Sequence, residues 1–309
     1  AVHAVGGLFV LDCIASGAMW VDMQACGIDV LVTAPQKGWS SSPCCAMVAM
    51  SERARQAIDG TTSTSFACDL KKWLQVMETY ESGGHMYHTT LPTDALQRLQ
   101  ETMLETEAYG FAKVRDEQMA LGRQVRSLLL QHGFPSVAAP GFEAPGVVVS
   151  YTTDPDIQSS KKFLALGLQT AAGVPLQCDE GADFRTFRIG LFGLDKWHDL
   201  ASTTAHLRQA LATVAQWRKA YQAAGYGHGH RVGLLLDNRP DFLYHWWALN
   251  ALGVSVVPIH SDMRSAELQY LIDHSEIVLA VVLPQRVTDV AQAAASVGSG
   301  CAVWAHGSA

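Results

Sequence analysis

Two residue types in this chain stand where they could do chemistry. In "DVLVTAPQKGWSSSP", Asp29 to Pro43, an apolar run ends in a loop of Ser, Gly and Pro that holds one lysine, Lys37. In "GGLFVLDCIAS" a second apolar run ends on Asp12. A carboxylate at the end of an apolar strand is costly to bury unpaired and invites a cationic partner. A lysine amine can condense with an aldehyde, and a carboxylate can hold a ring nitrogen protonated. Other candidates carry less. The adjacent pair Cys44 and Cys45 follows the lysine as a potential nucleophile, but "SSSPCCAMVAM" runs directly into a strand, which favours buried thiols. His228, His230 and His260 are metal-ligand types, yet "GYGHGHR" reads as a polar turn with surface histidines.

The elements that must position Lys37 and Asp12 are short and apolar. Leu8 to Leu11, Asp29 to Val32 and Ala46 to Met50 read as strands, with Ser51 able to cap a following helix. Runs without alternation predict a parallel sheet covered on both faces, and ligands collect at the carboxyl ends of such strands. From Thr93 to His132 the spacing is helical, interrupted by Gly110 and Gly122, where a bend or break is expected. "GVVVSYTTDPDIQSSKKFLALGLQTAAGVPLQ" reads as strand, turn, helix and loop, "FRTFRIGLFG" as a strand, and "DKWHDLASTTAHLRQALATVAQW" as a helix. Near residue 213 the pattern restarts: Val232 to Leu236 as strand, Phe242 to Leu252 as helix, Val254 to Ile259 as strand, then helix and strand again.

The segment "GGLFVLDCIASGAMWVDMQACGIDVLVTAPQKGW" resembles class V aminotransferases of pyridoxal 5'-phosphate (PLP) fold type I, close to the alanine–glyoxylate and serine–glyoxylate enzymes. The resemblance implies that Lys37 is the Schiff-base lysine and general base, Asp12 the partner of the pyridine nitrogen, and Gln36 a phosphate contact. "HMYHTTLPTDAL" is similar to a second stretch of that family, which implies that Tyr87 and Thr90 reach the PLP phosphate of the partner subunit in a homodimer. "TFRIGLFG" is similar to a third, which implies that Arg188 clamps the substrate α-carboxylate; a planar fork suits a bidentate contact. The implied activity is transamination between a small amino acid and a 2-oxo acid. Relatives in that class include lyases and sulfur-transfer enzymes with a catalytic cysteine, the chemistry open to Cys44 or Cys45. The family's Gly/Ser phosphate turn and its ring-stacking residue do not occur before Asp12, so weak PLP binding by this chain is expected.

Residues 213–309 resemble the opening of adenylate-forming acyl-CoA synthetases, on "RVGLLLDNRPDFLYHWWALNALGVSVVPIHSDMRSAELQYLIDHSE" with its Asn-Arg-Pro turn. The Ser/Thr/Gly-rich ATP loop of those enzymes does not occur, so no catalytic residue is assigned there. The expected organisation is α/β: a partial PLP-binding large domain with a mostly parallel sheet over 1–108, an α+β small domain over 109–212, and a partial Rossmann-like βαβ segment over 213–309. The alternatives are an acyl-CoA synthetase-like ligase, or an inert fusion of two enzyme fragments. The chain opens without Met and enters a strand almost at once, as a window on a longer bifunctional protein or a fusion of neighbouring reading frames would.

Composition narrows the partners. A net charge of -7 with scattered Lys and Arg argues against nucleic acid. No apolar run reaches membrane-spanning length, and the first residues lack a basic leading segment, against a signal peptide. The seven cysteines form no CxxC pair. Reduced, mostly buried thiols in a cytoplasmic protein are the expectation.

Overall fold

The computed structural model describes residues 1–237 and 239–307. Asn238, the first residue of the Asn-Arg-Pro turn, lies outside the described residues. The chain folds as two compact units, one of Ala1–Ser127, Ser136–Val149 and Ile189–Thr203, the other of Leu128–Pro135, Ser150–Arg188 and Thr204–Ala309.

In the first unit, β1 (Val10–Asp12) is followed by α1 (Met23–Cys26), β2 (Val30–Thr33) and β3 (Met47–Met50). β1 and β2 are parallel, with Asp12 opposite Val32. β3 runs antiparallel to β2, Val30 opposite Met50. The link between β2 and β3 holds no helix to carry the chain back to the starting end, so the strand returns in the opposite direction. Expected coverage on both faces is not found: β1 alternates exposed and half-buried, and Val10 is 57% exposed. α2 (Glu52–Asp59) starts where Ser51 Oγ accepts the Ala54 N–H at 3.2 Å, the cap that the sequence led one to expect. α3 (Leu70–Glu81) has its cap in Asp69. α4 (Thr93–Tyr109) ends at Gly110, and α5 (Phe111–Gln131) continues beyond it. Gly122 does not interrupt α5; it makes room there, since a Cβ would stand 2.8 Å from the Pro145 carbonyl oxygen.

Next come β4 (Val147–Tyr151), α6 (Pro155–Gln158), α7 (Lys161–Ala165), β5 (Ala171–Ala172) and β6 (Thr186–Gly190), with β4, β6 and β5 forming a three-stranded sheet in that order. α8 (Leu194–Trp197) leads into α9 (Leu200–Ala223), which runs unbroken past residue 212. Then β7 (Arg231–Leu235), α10 (Pro240–Asn250), β8 (Ser255–Pro258), α11 (Ser265–His274), β9 (Leu279–Val282), α12 (Val287–Ser296) and β10 (Ala302–Ala305) alternate strictly. Their four strands form a parallel sheet ordered β10-β9-β7-β8. All four residues of the inner strand β9 are buried, so here the unalternating apolar run does mark a sheet covered on both faces. Leu234, Leu235, Leu249, Leu268, Ile272 and Ile277 make up its centre.

All seven thiols are free, but the expectation that most are buried fails: only Cys13 is buried, while Cys26, Cys68 and Cys178 are exposed. Cys26 closes a one-turn helix, and Cys178 lies between two left-handed turn residues, Gln177 and Asp179, positions that face solvent. No helix among the described residues is long and apolar enough to cross a membrane.

Candidate functional site

Because β1 and β2 are parallel neighbours, the segments leaving their carboxyl ends lie side by side. Asp12 is the last residue of β1, and its Oδ1 accepts the Ile14 N–H at 2.8 Å, which turns the chain. Beyond it, the Cys13 N–H donates to the Val32 carbonyl at 2.8 Å, and Thr33 Oγ1 donates to the Cys13 carbonyl at 3.3 Å. The Lys37 segment then folds into a turn, with the Ser40 N–H on the Lys37 carbonyl at 3.0 Å and the Ser41 N–H on the Pro35 carbonyl at 3.1 Å. A Cβ on Gly38 would stand 2.7 Å from the Gly17 carbonyl oxygen, so the two segments touch backbone to backbone.

Lys37 is half-buried, and its ammonium has no ion-pair or hydrogen-bond partner among the described residues. Gln36 is exposed. Asp12 is exposed too, with no cation paired to it among the described residues, which corrects the expectation of a buried carboxylate in need of one. The buried carboxylate of this sheet is Asp29, held by the Phe9 N–H at 2.8 Å, His3 Nε2 at 2.7 Å and Ser51 Oγ at 3.1 Å. The Phe9 N–H above all, then His3 and Ser51, draws the Asp29 pKa below the ordinary carboxylate value against the opposing effect of burial.

Beside Lys37, Trp39 meets Trp20 with ring centroids 5.3 Å apart, and Trp20 meets Phe111 at 5.0 Å, with the Trp20 Nε1–H on the Phe111 carbonyl at 2.7 Å. Trp39 and Phe111 line a shallow apolar groove of about 380 Å³ with Leu96, Leu99, Met103 and Leu104. Ser41 Oγ is buried without a hydrogen-bond partner, an orphaned polar atom four residues from the lysine. One amine, one carboxylate, one exposed amide and one unsatisfied hydroxyl are a donor set that fits the lysine side of a PLP site. Cys44 and Cys45 hold their sulfurs 3.8 Å apart, and burial, then the neighbouring Cys44, pushes Cys45 up to about 11. A thiol so protonated at neutral pH is a poor nucleophile.

The remaining expected residues are carried by other segments of the chain. Tyr87 is 71% exposed, and its hydroxyl reaches Thr90 Oγ1 at 3.3 Å. Arg188 belongs to the second compact unit, opposite Ala171 in the β5–β6 pair, and its Nε donates to the Ala172 carbonyl at 2.9 Å. His228 and His260 are exposed and His230 is half-buried, its Nδ1 accepting the Gly227 N–H at 3.0 Å.

Gln118 and His245, two of the buried polar groups, are not among the residues expected from the sequence. Gln118 occupies the apolar stripe Val114, Leu121, Val125 of α5 at a spacing of four and three, a signal visible in the sequence. His245 is fully buried in α10, between the Tyr221 hydroxyl at 2.7 Å and His306 Nδ1 at 3.0 Å. Those partners are 24 and 61 residues away, beyond any local pattern.

Residues 202–305 match the sequence profile described as AMP-binding enzyme. A crotonobetaine/carnitine–CoA ligase of Salmonella paratyphi A is 32% identical over 65 residues, 21% of this chain and 13% of that protein. Among solved structures, the alanine–glyoxylate aminotransferase of Nostoc sp. superposes with a TM-score of 0.56 at 18% identity, over 67% of this chain and 54% of that one. The pyridoxamine–pyruvate aminotransferase of Mesorhizobium loti does so with a TM-score of 0.54 at 18% identity, over 81% and 59%. The chain thus spans little more than half of either aminotransferase. At these identities the likeness establishes the fold: an α/β architecture shared with solved aminotransferases, as the sequence led one to expect.

Proposed function

We propose that the part of the chain up to about residue 212 is the lysine-bearing portion of a PLP-dependent aminotransferase acting on a small amino acid and a 2-oxo acid. The observation that carries the reading is the pairing of β1 with β2, which brings the Asp12 and Lys37 segments together at the carboxyl ends of parallel strands. PLP, when bound, supplies an aldehyde and an electron-accepting ring. The Lys37 amine would hold the aldehyde and, when neutral, would take and return the substrate proton. The Asp12 carboxylate would keep the ring nitrogen protonated, and Gln36 would offer an amide to the phosphate. Tyr87 and Thr90 would serve the phosphate of a second subunit in a homodimer, and Arg188 would take the substrate carboxylate through its fork. The proposed organisation is 1–108, 109–212 and 213–309, in a cytoplasmic protein.

The test is absorbance titration with PLP, followed by borohydride reduction and peptide mapping. The expected result is weak binding with a covalent adduct on Lys37, absent in Lys37→Ala. An adduct and spectrum unchanged by Lys37→Ala would overturn the reading. Arg188→Lys is expected to weaken amino-acid-driven loss of the cofactor band while leaving PLP binding unchanged.

A second reading rests on the match of residues 202–305 to the AMP-binding profile. It makes the parallel sheet of the second unit part of an acyl-CoA synthetase-like ligase. ATP–pyrophosphate exchange with short acyl acids tests it; exchange above background supports a ligase, and none supports an inert segment.

A further inference from the structure

We infer that Gln118 is a positioning residue for the lysine segment, an inference that rests on the aminotransferase reading of Lys37. Gln118 is fully buried, and its place in the stripe of α5 would otherwise take an apolar side chain. Its Oε1 accepts the Ala18 N–H at 2.8 Å, and its Nε2 donates to the Ser16 carbonyl at 3.4 Å. Between these two residues Gly17 adopts a left-handed φ of 64°, wrapping the backbone around the amide so closely that a Cβ there would collide with it. Gly38, the residue after Lys37, packs so closely on the Gly17 backbone that a Cβ on it would stand 2.7 Å from the Gly17 carbonyl oxygen. A rigid helix therefore reaches the lysine segment through one side-chain amide and one turn.

The same turn reaches Asp12. Ser16 Oγ donates to the Cys13 carbonyl at 2.9 Å, the Ser16 N–H does so at 3.2 Å, and Cys13 follows Asp12 directly. The geometry needs an acceptor and a donor on one short planar group. Glutamine offers both without charge, whereas leucine offers neither, and ionised glutamate loses the donor. Ala18 is fully buried, so its N–H has no access to water when the amide is gone. The distance between the lysine and the carboxylate at the two strand ends is thus held by a residue that touches neither.

The experiment is amide hydrogen exchange on the whole chain, read in peptides covering residues 13–20 and 34–42. Gln118→Leu is expected to speed exchange at least tenfold in both peptides and to leave α2 and α3 unchanged. Val114→Ala, one turn earlier in the same buried stripe, is the control for lost packing, and is expected to raise exchange along α5 without singling out those segments. Should Gln118→Leu not fold, Gln118→Met serves with the same readout, since it keeps the length of the side chain and lacks the amide N–H and carbonyl. Unchanged exchange over 34–42 in Gln118→Leu or Gln118→Met, or a pattern matching Val114→Ala, overturns the inference. Borohydride trapping of PLP separates it from the reading beneath it. No Lys37 adduct in the unaltered chain defeats the cofactor assignment, while exchange coupled to Gln118 upholds the positioning contact. A normal adduct with uncoupled exchange does the reverse.

Discussion

His3 Nε2 lies 2.7 Å from Asp29 Oδ2, and this pair, not Asp12, is where the first sheet buries a carboxylate. The Phe9 N–H on the same oxygen and Ser51 on the other tie the start of β1 and the cap of α2 to the start of β2. The folded Asp29 pKa lies below its unfolded value, so the folded state binds fewer protons than the unfolded chain as pH falls. Its contribution to stability is full above the ordinary carboxylate pKa of about 4 and is lost as pH drops through the folded value. Thermal unfolding followed from pH 7 to pH 2 is expected to show a steeper acid loss in the unaltered chain than in Asp29→Asn. Equal slopes would place the acid sensitivity elsewhere.

Contact between the Asp12 and Lys37 segments allows no added carbon at Gly38. Gly38→Ala is expected to cost about 1–3 kcal/mol by overpacking, seen as a lower urea midpoint. Gly60→Ala is the matched control, since its Cβ meets only ordinary contact at 3.7 Å; its cost is expected within about 0.5 kcal/mol. Similar midpoints for both variants would mean that the two segments separate freely.

Burial first, and the neighbouring His306 next, pushes His245 down to about 3, against a small upward pull from Asp241. The unfolded histidine takes its proton near pH 6.5 and the folded one does not, so the folded state loses stability as pH falls from about 6.5 toward 3. The slope reaches about 1.4 kcal/mol per pH unit in that window. His245→Phe is expected to lower stability at pH 7 by about 1–3 kcal/mol, through the unpaired Tyr221 hydroxyl, and to flatten the slope. A variant as pH-sensitive as the parent would show that His245 stays exposed to protonation.

Thiol labelling separates the aminotransferase reading from sulfur chemistry. Iodoacetamide at pH 8 is expected to label the exposed Cys26, Cys68 and Cys178 well before Cys45, whose pKa of about 11 keeps it protonated. Mass spectrometry of timed samples gives the order. Fast labelling of Cys44 or Cys45 with loss of a Lys37 adduct would favour the cysteine mechanism instead.

The sequence by itself determined what depends on neighbours along the chain. Apolar runs of four or five residues became β2, β3, β4 and β7, Ser51 capped α2, and Gly110 ended α4. Ends shifted by one or two residues, as at β1, where pairing with β2 and not hydrophobicity set the limit. Lys37 and Asp12 were legible because a lone charge at the close of an apolar run is visible without a structure. Gln118 was visible in the same way, as a polar residue in an apolar stripe, but its partners Ser16 and Ala18 lie about a hundred residues earlier and follow no period. The tertiary structure alone decided the direction of β3, the exposure of the first sheet, and the choice of Asp29 over Asp12 as the buried carboxylate. Each of those is settled by which distant backbone groups arrive beside a strand, and a local pattern of apolar and polar residues carries no record of them.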